Sequence, residues 1–77
     1  MRTVNIKLSL SENVKAFNAI VNRYGFDVDL RSGRHVVDAK SLLGIFSLDL
    51  SKPIDLQIHA DGDAEDILAV LAPYIAE

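Results

Sequence analysis

The sequence predicts one small α+β domain in which helices cover a single face of an antiparallel sheet. Four short segments alternate apolar and polar residues, which is typical of strands with one buried face. Between and after them, three segments carry helix-start signals or apolar residues at helical spacing. The element order is therefore βαββαβα, and the polar side of every strand predicts an open-faced two-layer sandwich. The chain of 77 residues is long enough for one thin core.

The first strand and the first helix have the clearest patterns. Apolar and polar residues alternate from Thr3 to Leu8. Ser9 and Glu12 have the spacing of a capping box, so the helix is expected to begin with Ser9 at its N-cap. Gly25 suits the position that follows a helix end. The apolar stripe between these signals comprises Val14, Phe17, Ile20, Val21 and Tyr24.

The centre of the chain predicts a hairpin, a short helix and a last strand. Alternation from Phe26 to Arg31 and from His35 to Ala39 predicts two strands, joined by a turn at Ser32-Gly33. The segment from Ser41 to Leu48 is apolar on all sides and predicts one or two helical turns. Ile54 to His59 alternates again and predicts the fourth strand. The open sheet face is expected to carry Asn5, Lys7, Asp29, Gln57 and His59.

The last helix is expected to begin at Asp63, with Glu65 and Asp66 in its first turn, where acidic residues suit the helix dipole. Together with Asp61 these residues could suggest a calcium site, but they lack the alternating ligands and closing glutamate of a calcium loop. Pro73 removes a backbone donor and should kink or end the helix. The predicted apolar stripe comprises Ile67, Leu68, Val70, Leu71 and Ile75.

Composition excludes several classes of function. A net charge of −3 with scattered Lys and Arg argues against nucleic acid as a partner. The absence of cysteine excludes disulfides, thiolate metal sites and cysteine catalysis. No apolar run approaches the ~20 residues of a membrane helix, and no signal peptide is evident, so we expect a cytoplasmic protein. His35 and His59 have no second ligand at metal spacing, and we expect no metal or cofactor.

Three segments resemble the HPr family, the phosphocarrier proteins of the sugar phosphotransferase system in bacteria. They are Asp27 to Leu30, the Ser32-Gly33 turn and, above all, Asp38 to Leu48, in which a Lys-Ser-aliphatic-aliphatic-Gly run opens the central helix. The resemblance extends from Thr3 over nearly the whole chain. It implies an antiparallel sheet in the order 1-4-2-3 with three helices on one face. It also implies a link to the relay of phosphoryl groups through a histidine at the start of the first helix.

That histidine is missing from this sequence. The corresponding region from Leu8 to Asn13 holds no histidine, arginine or proline and is a few residues shorter, so that Leu10 or a neighbouring serine takes the histidine's place. A phosphohistidine carrier needs an imidazole nitrogen as its nucleophile and cationic donors for the phosphate. Glu12 would instead repel a donor phosphate. We therefore expect no carrier activity and no catalytic residue.

The second phosphorylated position of the family is retained as Ser41. The resemblance implies that a regulatory serine kinase modifies this residue, and Lys40 beside it would favour the added charge. Serine is also a good N-cap without any further role, so capping alone would explain Ser41. Some relatives that lack the histidine keep this serine and act only in regulation.

Apolar residues that follow Ser41 are the candidate partner-binding surface. In relatives the matching positions dock other proteins, which implies a surface made of Lys40, Leu42, Leu43 and Phe46. A segment that is apolar on all sides cannot bury all of itself in a two-layer domain. The alternative is that Ile45 and Leu48 fill the core while the rest is half covered.

The sequence thus favours a regulatory or protein-interaction module of the phosphotransferase system, linked to catabolite repression and the control of sugar transport. Its expected partners are the serine kinase and a transcriptional regulator of that system. A small-ligand-binding regulatory domain of βαββαβ type is the alternative, and an enzyme is the weakest hypothesis because no nucleophile and base converge. A dimer through the apolar surface or through a free strand edge remains open.

Overall fold

The computed structural model describes residues 2–8, 10–60 and 64–75. The predicted order βαββαβα is confirmed over these residues, with a short 3-10 helix added at the end. The strands are β1 (Arg2–Ile6), β2 (Asp27–Ser32), β3 (His35–Asp38) and β4 (Ile54–His59), and the helices are α1 (Ser11–Val21), α2 (Leu42–Phe46) and α3 (Ala64–Val70), followed by the 3-10 helix Ala72–Tyr74.

The strands form one antiparallel sheet in the order β1-β4-β2-β3, as the family resemblance implied. Ile6 lies opposite Ile54 and Arg2 lies opposite Ile58, so the chain enters α1 at the end of the sheet where β4 begins. Leu56 lies opposite Leu30, which joins β4 to the β2–β3 hairpin. The sheet therefore has two edge strands, β1 and β3.

The core lies between the sheet and the helices. Inward-facing apolar residues of β2 and β4 are fully buried, and Phe17 of α1 packs above them at 0% exposure. The ring of Phe17 meets that of Tyr74 edge to face at a centroid distance of 6.3 Å. The opposite sheet face is polar, as predicted: Asn5 donates to Asp55 there at 2.5 Å. Burial on one face only follows directly from the period-2 pattern of the strands.

The bounds of α1 differ from the prediction. α1 begins at Ser11 with Leu10 at the N-cap position, and the cap predicted for Ser9 lies outside the described residues. The prediction that Gly25 follows the helix end was wrong, because α1 ends at Val21 with Asn22 at its C-cap. The Asn22 side chain donates to the carbonyl of Asn18 at 2.8 Å and so satisfies a carbonyl of the last turn. Tyr24 consequently lies outside the helix.

The C-terminal part confirms one expectation and corrects another. α3 ends at Val70, and Pro73 sits in the 3-10 helix that follows, so the proline does end the α-helix. Ile75 was predicted in the apolar stripe of α3, but its extended backbone bridges to Ile6 of β1. Val70, also assigned to that stripe, is 43% exposed. The caps and acidic ligands considered at Asp61 and Asp63 lie outside the described residues.

Candidate functional site

Ser41 occupies the N-cap of α2, and its geometry combines a structural role with an accessible hydroxyl. Its backbone is extended (φ −97°, ψ 111°), and its Oγ accepts a hydrogen bond from the amide of Gly44 at 3.2 Å. Its own amide donates to the carbonyl of Asp38 at 2.9 Å, which fixes the approach of the chain to the helix. The residue as a whole is exposed. A capping serine can therefore still present its oxygen to solvent.

Gly44 allows α2 to lie close to β3. A Cβ atom at this position would come within 3.3 Å of Ser41 Oγ and 3.4 Å of the Cβ of Val37. An alanine at this position would require the capping hydroxyl to shift by a few tenths of an ångström. The glycine of the Lys-Ser-aliphatic-aliphatic-Gly run is thus explained by packing at the start of α2.

Lys40 joins the start of α2 to the end of α1. Its Nζ donates to the carbonyl of Tyr24 at 2.8 Å, and its amide donates to Asp38 Oδ1 at 2.9 Å. Its carbonyl accepts a bond from the Asn22 side chain at 3.2 Å, while Asn18 donates to the carbonyl of Ala39 at the same distance. Lys40 is half-buried in this network. Its ammonium group is therefore directed toward the end of α1.

The apolar side chains of α2 divide into an anchor and an exposed pair. Ile45 is fully buried, and Leu42 is half-buried and packs against the core. Leu43 is 84% exposed and Phe46 is 42% exposed. Because the helix is apolar on every side and only one side meets the core, two large side chains are left in solvent. We call Leu43 and Phe46 the exposed pair of α2.

The start of α1 offers different chemistry. Leu10 holds the N-cap position with extended backbone (φ −111°, ψ 142°), and its side chain makes no capping bond. It is 56% exposed, although leucine is a poor N-cap residue. The acidic residue of the first turn is Glu12. No imidazole stands among the residues from Leu10 to Val14.

Both histidines of the chain lie away from the start of α1. His59 is the last residue of β4 and follows Ile58, which lies opposite Arg2. This end of the sheet is opposite to the end where the chain enters α1. Its Nε2 lies 2.9 Å from Asp29 Oδ2 across the open sheet face. His35 opens β3, the edge strand that is three strands away from β1. His59 therefore lies at the far end of the sheet from the start of α1, and a width of three strand spacings, roughly 14 Å, separates β3 from β1.

Three further properties concern only residues 2–8, 10–60 and 64–75. No group of three or more His, Asp or Glu side chains among them is placed to hold a metal ion. These residues form no pocket. None of their helices has the length and apolar character that a membrane span requires.

The sequence identified the residues of α2 but not all of their surroundings. The bonds from Asn18 and Asn22 to the segment before Ser41 were not predicted, because they join residues 18 to 21 positions apart. The pair between His59 and Asp29 also went unpredicted, since it depends on the register between β2 and β4. The sequence predicts Leu10 or a neighbouring serine in the place of the histidine, but the exposure of Leu10 is visible only in the folded chain.

Comparison with known proteins agrees with this architecture. The family model described as "PTS HPr component phosphorylation site" matches residues 4–77. A crystal structure of the phosphocarrier protein HPr from Bacillus anthracis is similar at a TM-score of 0.72 and 27% identity, covering 97% of this chain and 94% of that one. The crystal structure of HPr-C-His from Thermoanaerobacter tengcongensis has a TM-score of 0.76 at 22% identity, covering 92% and 90% of the two chains, and supports the fold alone. Curated protein sequences give no match.

The family match spans nearly all of the chain, and the solved relatives have the same four-stranded sheet with helices on one face. Members of this family are carriers and binding partners in phosphoryl transfer, not enzymes. The chain belongs to the HPr family of the phosphotransferase system.

Proposed function

We propose that this protein is a regulatory member of the HPr family that docks other proteins through α2, is switched by phosphorylation of Ser41, and does not relay phosphoryl groups from α1. The observation that carries the proposal is the contrast between the two helix starts. Ser41 presents a hydroxyl beside two exposed apolar side chains, whereas the start of α1 presents Leu10 and Glu12.

The loss of carrier activity follows from chemistry at α1. Transfer through histidine needs an unhindered ring nitrogen that attacks phosphorus and then releases it. The leucine at the N-cap of α1 has no nucleophilic atom, and the carboxylate of Glu12 in the first turn opposes an incoming phosphate. His59 lies at the opposite end of the sheet, and His35 lies on β3, three strands away from β1. We therefore assign no phosphoryl acceptor to α1.

The docking role rests on the exposed pair of α2. Leu43 and Phe46 stand in solvent on a helix that Ile45 fixes to the core, so their positions are set before any partner arrives. Binding then has to order only the rotamers of these two side chains and not the backbone that carries them. Lys40 and the half-buried Leu42 complete the surface by holding the start of α2 in place.

The switch rests on the position of Ser41 immediately before this surface. In the modification, Ser41 Oγ attacks the γ-phosphorus of ATP, ADP leaves, and the hydroxyl proton passes to a base of the kinase. The product adds nearly two negative charges within a few residues of Leu43. A partner with an apolar site would be repelled by that charge, and a partner with a cationic rim would be attracted.

We further propose that the partners are the serine kinase and a transcriptional regulator of the phosphotransferase system, and that the protein acts in the cytoplasm. This part of the proposal rests on membership of the family, whose proteins interact with other components of that system.

Phosphorylation is tested by incubating the protein with ATP and the serine kinase of its own system and measuring the intact mass. We expect the addition of one phosphate to the wild type and none to the Ser41→Ala variant. Ser47, which lies at the other end of α2, provides the matched control, and Ser47→Ala should be modified normally. No modification by a kinase that is active on its usual substrate would contradict the switch.

The absence of carrier activity has a separate assay. The protein is mixed with the phosphorylated enzyme that normally loads HPr, with an ordinary HPr as the positive control. Labelled phosphate should move to the control and not to this chain. Acid-labile label on this chain would overturn that part of the proposal and leave the switch at Ser41 untouched.

Docking is tested with Phe46→Ala and with Val70→Ala as its control. The two side chains are almost equally exposed, at 42% and 43%, but Val70 lies on α3. We expect Phe46→Ala to weaken binding to the regulator about tenfold or more, since buried aromatic anchors dominate interfaces. Equal binding by both variants would exclude α2 as the docking surface.

A further inference from the structure

The two edges of the sheet are treated differently by the fold. The C-terminal segment covers the outer side of β1 at the end of the strand, because the amide of Lys7 donates to the carbonyl of Tyr74 at 2.8 Å and Ile6 bridges to Ile75. Among residues 2–8, 10–60 and 64–75, no strand pairs with the outer side of β3. An uncovered edge is a template for another strand.

The hydrogen-bond pattern of the hairpin determines which groups β3 presents outward. The amide of Ala39 donates to the carbonyl of Val28 at 2.9 Å, which identifies the opposed residues Asp29 and Asp38 as a pair that exchanges no bonds. Pairs alternate along an antiparallel ladder, so Arg31 and Val36 form the next such pair. The amide and the carbonyl of Val36 therefore point away from β2, toward the free edge.

Side chains around Val36 form a symmetric pattern. Val36 is 57% exposed on the open sheet face. Arg34 lies two residues before it in the turn opened by Gly33 (φ 62°), and Asp38 lies two residues after it. Both are exposed and carry opposite charges. A strand whose alternate residues are cationic, apolar and anionic in turn is complementary to an identical strand that runs antiparallel to it.

We propose that β3 pairs with β3 of a second copy of this chain, about a twofold axis at Val36. The amide of Val36 donates to the carbonyl of Val36 in the second copy, and the reverse bond completes the pair. Arg34 of each copy then stands opposite Asp38 of the other. The two sheets become one continuous sheet, and both copies keep the same face toward solvent.

Charge within the hairpin also favours this partner. Asp38 lies directly opposite Asp29 on the same face, an arrangement of like charges that weakens a strand pair. His59 contacts Asp29 at 2.9 Å, whereas no ion pair of Asp38 exists within the described residues. Arg34 of the other copy places a cation beside the carboxylate of Asp38. This inference does not depend on α2 or on the function proposed for it.

Charge reversal tests the register. The variants Arg34→Asp and Asp38→Arg each place like charges opposite one another at two positions of a homodimer. Sedimentation velocity should show a dissociation constant for each variant that is roughly tenfold or more above that of wild type. An equimolar mixture of the two restores opposite charges at both positions and should associate like wild type. Lys52→Asp changes the net charge as Arg34→Asp does and should leave association unchanged.

Amide exchange locates the contact independently of these variants. The Val36 amide should exchange with deuterium more slowly as protein concentration rises from about 10 μM to about 1 mM, while the Arg31 amide serves as a reference in the same hairpin. Asp38 Oδ1 also accepts the amide of Lys40, so the thermal midpoint of Asp38→Arg is measured alongside. A protein that stays monomeric at 1 mM, or a mixture that associates no better than its components, would overturn the proposal.

Discussion

The first turns of α1 and α2 are stabilised in different ways. α1 has eleven residues and buries Val14, Phe17 and Val21, so tertiary packing holds it although Leu10 makes no capping bond. α2 has five residues and buries Ile45, and its first turn is closed by the hydroxyl of Ser41. A long amphipathic helix can leave its cap position free for other uses, whereas a short helix depends on local bonds.

This difference bears on the proposed function, which places a phosphorylated residue at the start of α2 and none at the start of α1. The start of α2 lies beside the end of α1, since Asn22 bonds the carbonyl of Lys40. The starts of the two helices are therefore separated by about the length of α1, roughly 16 Å for its eleven residues. A change of charge at Ser41 alters the electrostatic potential strongly at the exposed pair of α2 and only weakly at Leu10.

The largest expected effect concerns the anchor of α2. Ile45→Ala should lower the free energy of unfolding by about 2–5 kcal/mol, because it empties a fully buried position beneath the helix. Leu43→Ala on the same helix removes an 84% exposed side chain and should change stability by less than about 0.5 kcal/mol. Urea unfolding measures both variants. Similar losses in the two would mean that α2 is not fixed through Ile45.

A smaller effect distinguishes the two caps by its sign. Ser41→Ala should destabilise the protein by about 1 kcal/mol, because the amide of Gly44 loses its acceptor. Leu10→Ser should stabilise it by up to about 1 kcal/mol, because a hydroxyl at the N-cap position then becomes available to the amides of the first turn of α1. Both values come from urea unfolding under the same conditions. Two changes of the same sign would refute the contrast between the helix starts.

The architecture could be predicted from the sequence because it depends on patterns that repeat over several residues. The alternation in Ile54 to His59 gave β4 with its bounds, and Pro73 correctly ended α3. The order of the strands came from the family resemblance, since alternation alone does not say which strands are neighbours. The predicted end of α1 was wrong, because the side-chain amide of Asn22 closes the last turn of the helix before the chain reaches Gly25.

The sequence predicted which residues form the candidate site, but it did not predict how exposed each of their side chains is. Leu42, Leu43 and Phe46 are all large and apolar, and only the docking of α2 on β3 decides that Leu42 is half-buried while Leu43 is free. The contact of Lys40 with Tyr24 depends likewise on how α1 ends. Contacts between residues far apart in the chain are set by packing, and a single sequence does not contain them explicitly.

The smallest expected effect compares the C-terminal ends of α1 and α2. The end of α1 is closed by the neutral side chain of Asn22, whereas the loop after α2 is closed by Asp49, whose carboxylate accepts bonds from the hydroxyl and the amide of Ser51 at 2.5 and 3.1 Å. These bonds, the hydroxyl first, lower the pKa of Asp49 below its usual value of 3.8. The stability that Asp49 contributes is therefore fully present above pH 3.8 and is lost as the pH falls through the lower folded pKa.

Urea unfolding of Asp49→Ala and Asn22→Ala between pH 7 and pH 2.5 tests this difference. We expect the gap in stability between wild type and Asp49→Ala to be constant from pH 7 to about pH 5 and to close toward the acidic end, because the protonated acid no longer offers a charged acceptor. The gap for Asn22→Ala should stay the same throughout, since an amide does not titrate. If the Asp49→Ala gap were also independent of pH, the loop after α2 would be held by packing and not by the ionised carboxylate.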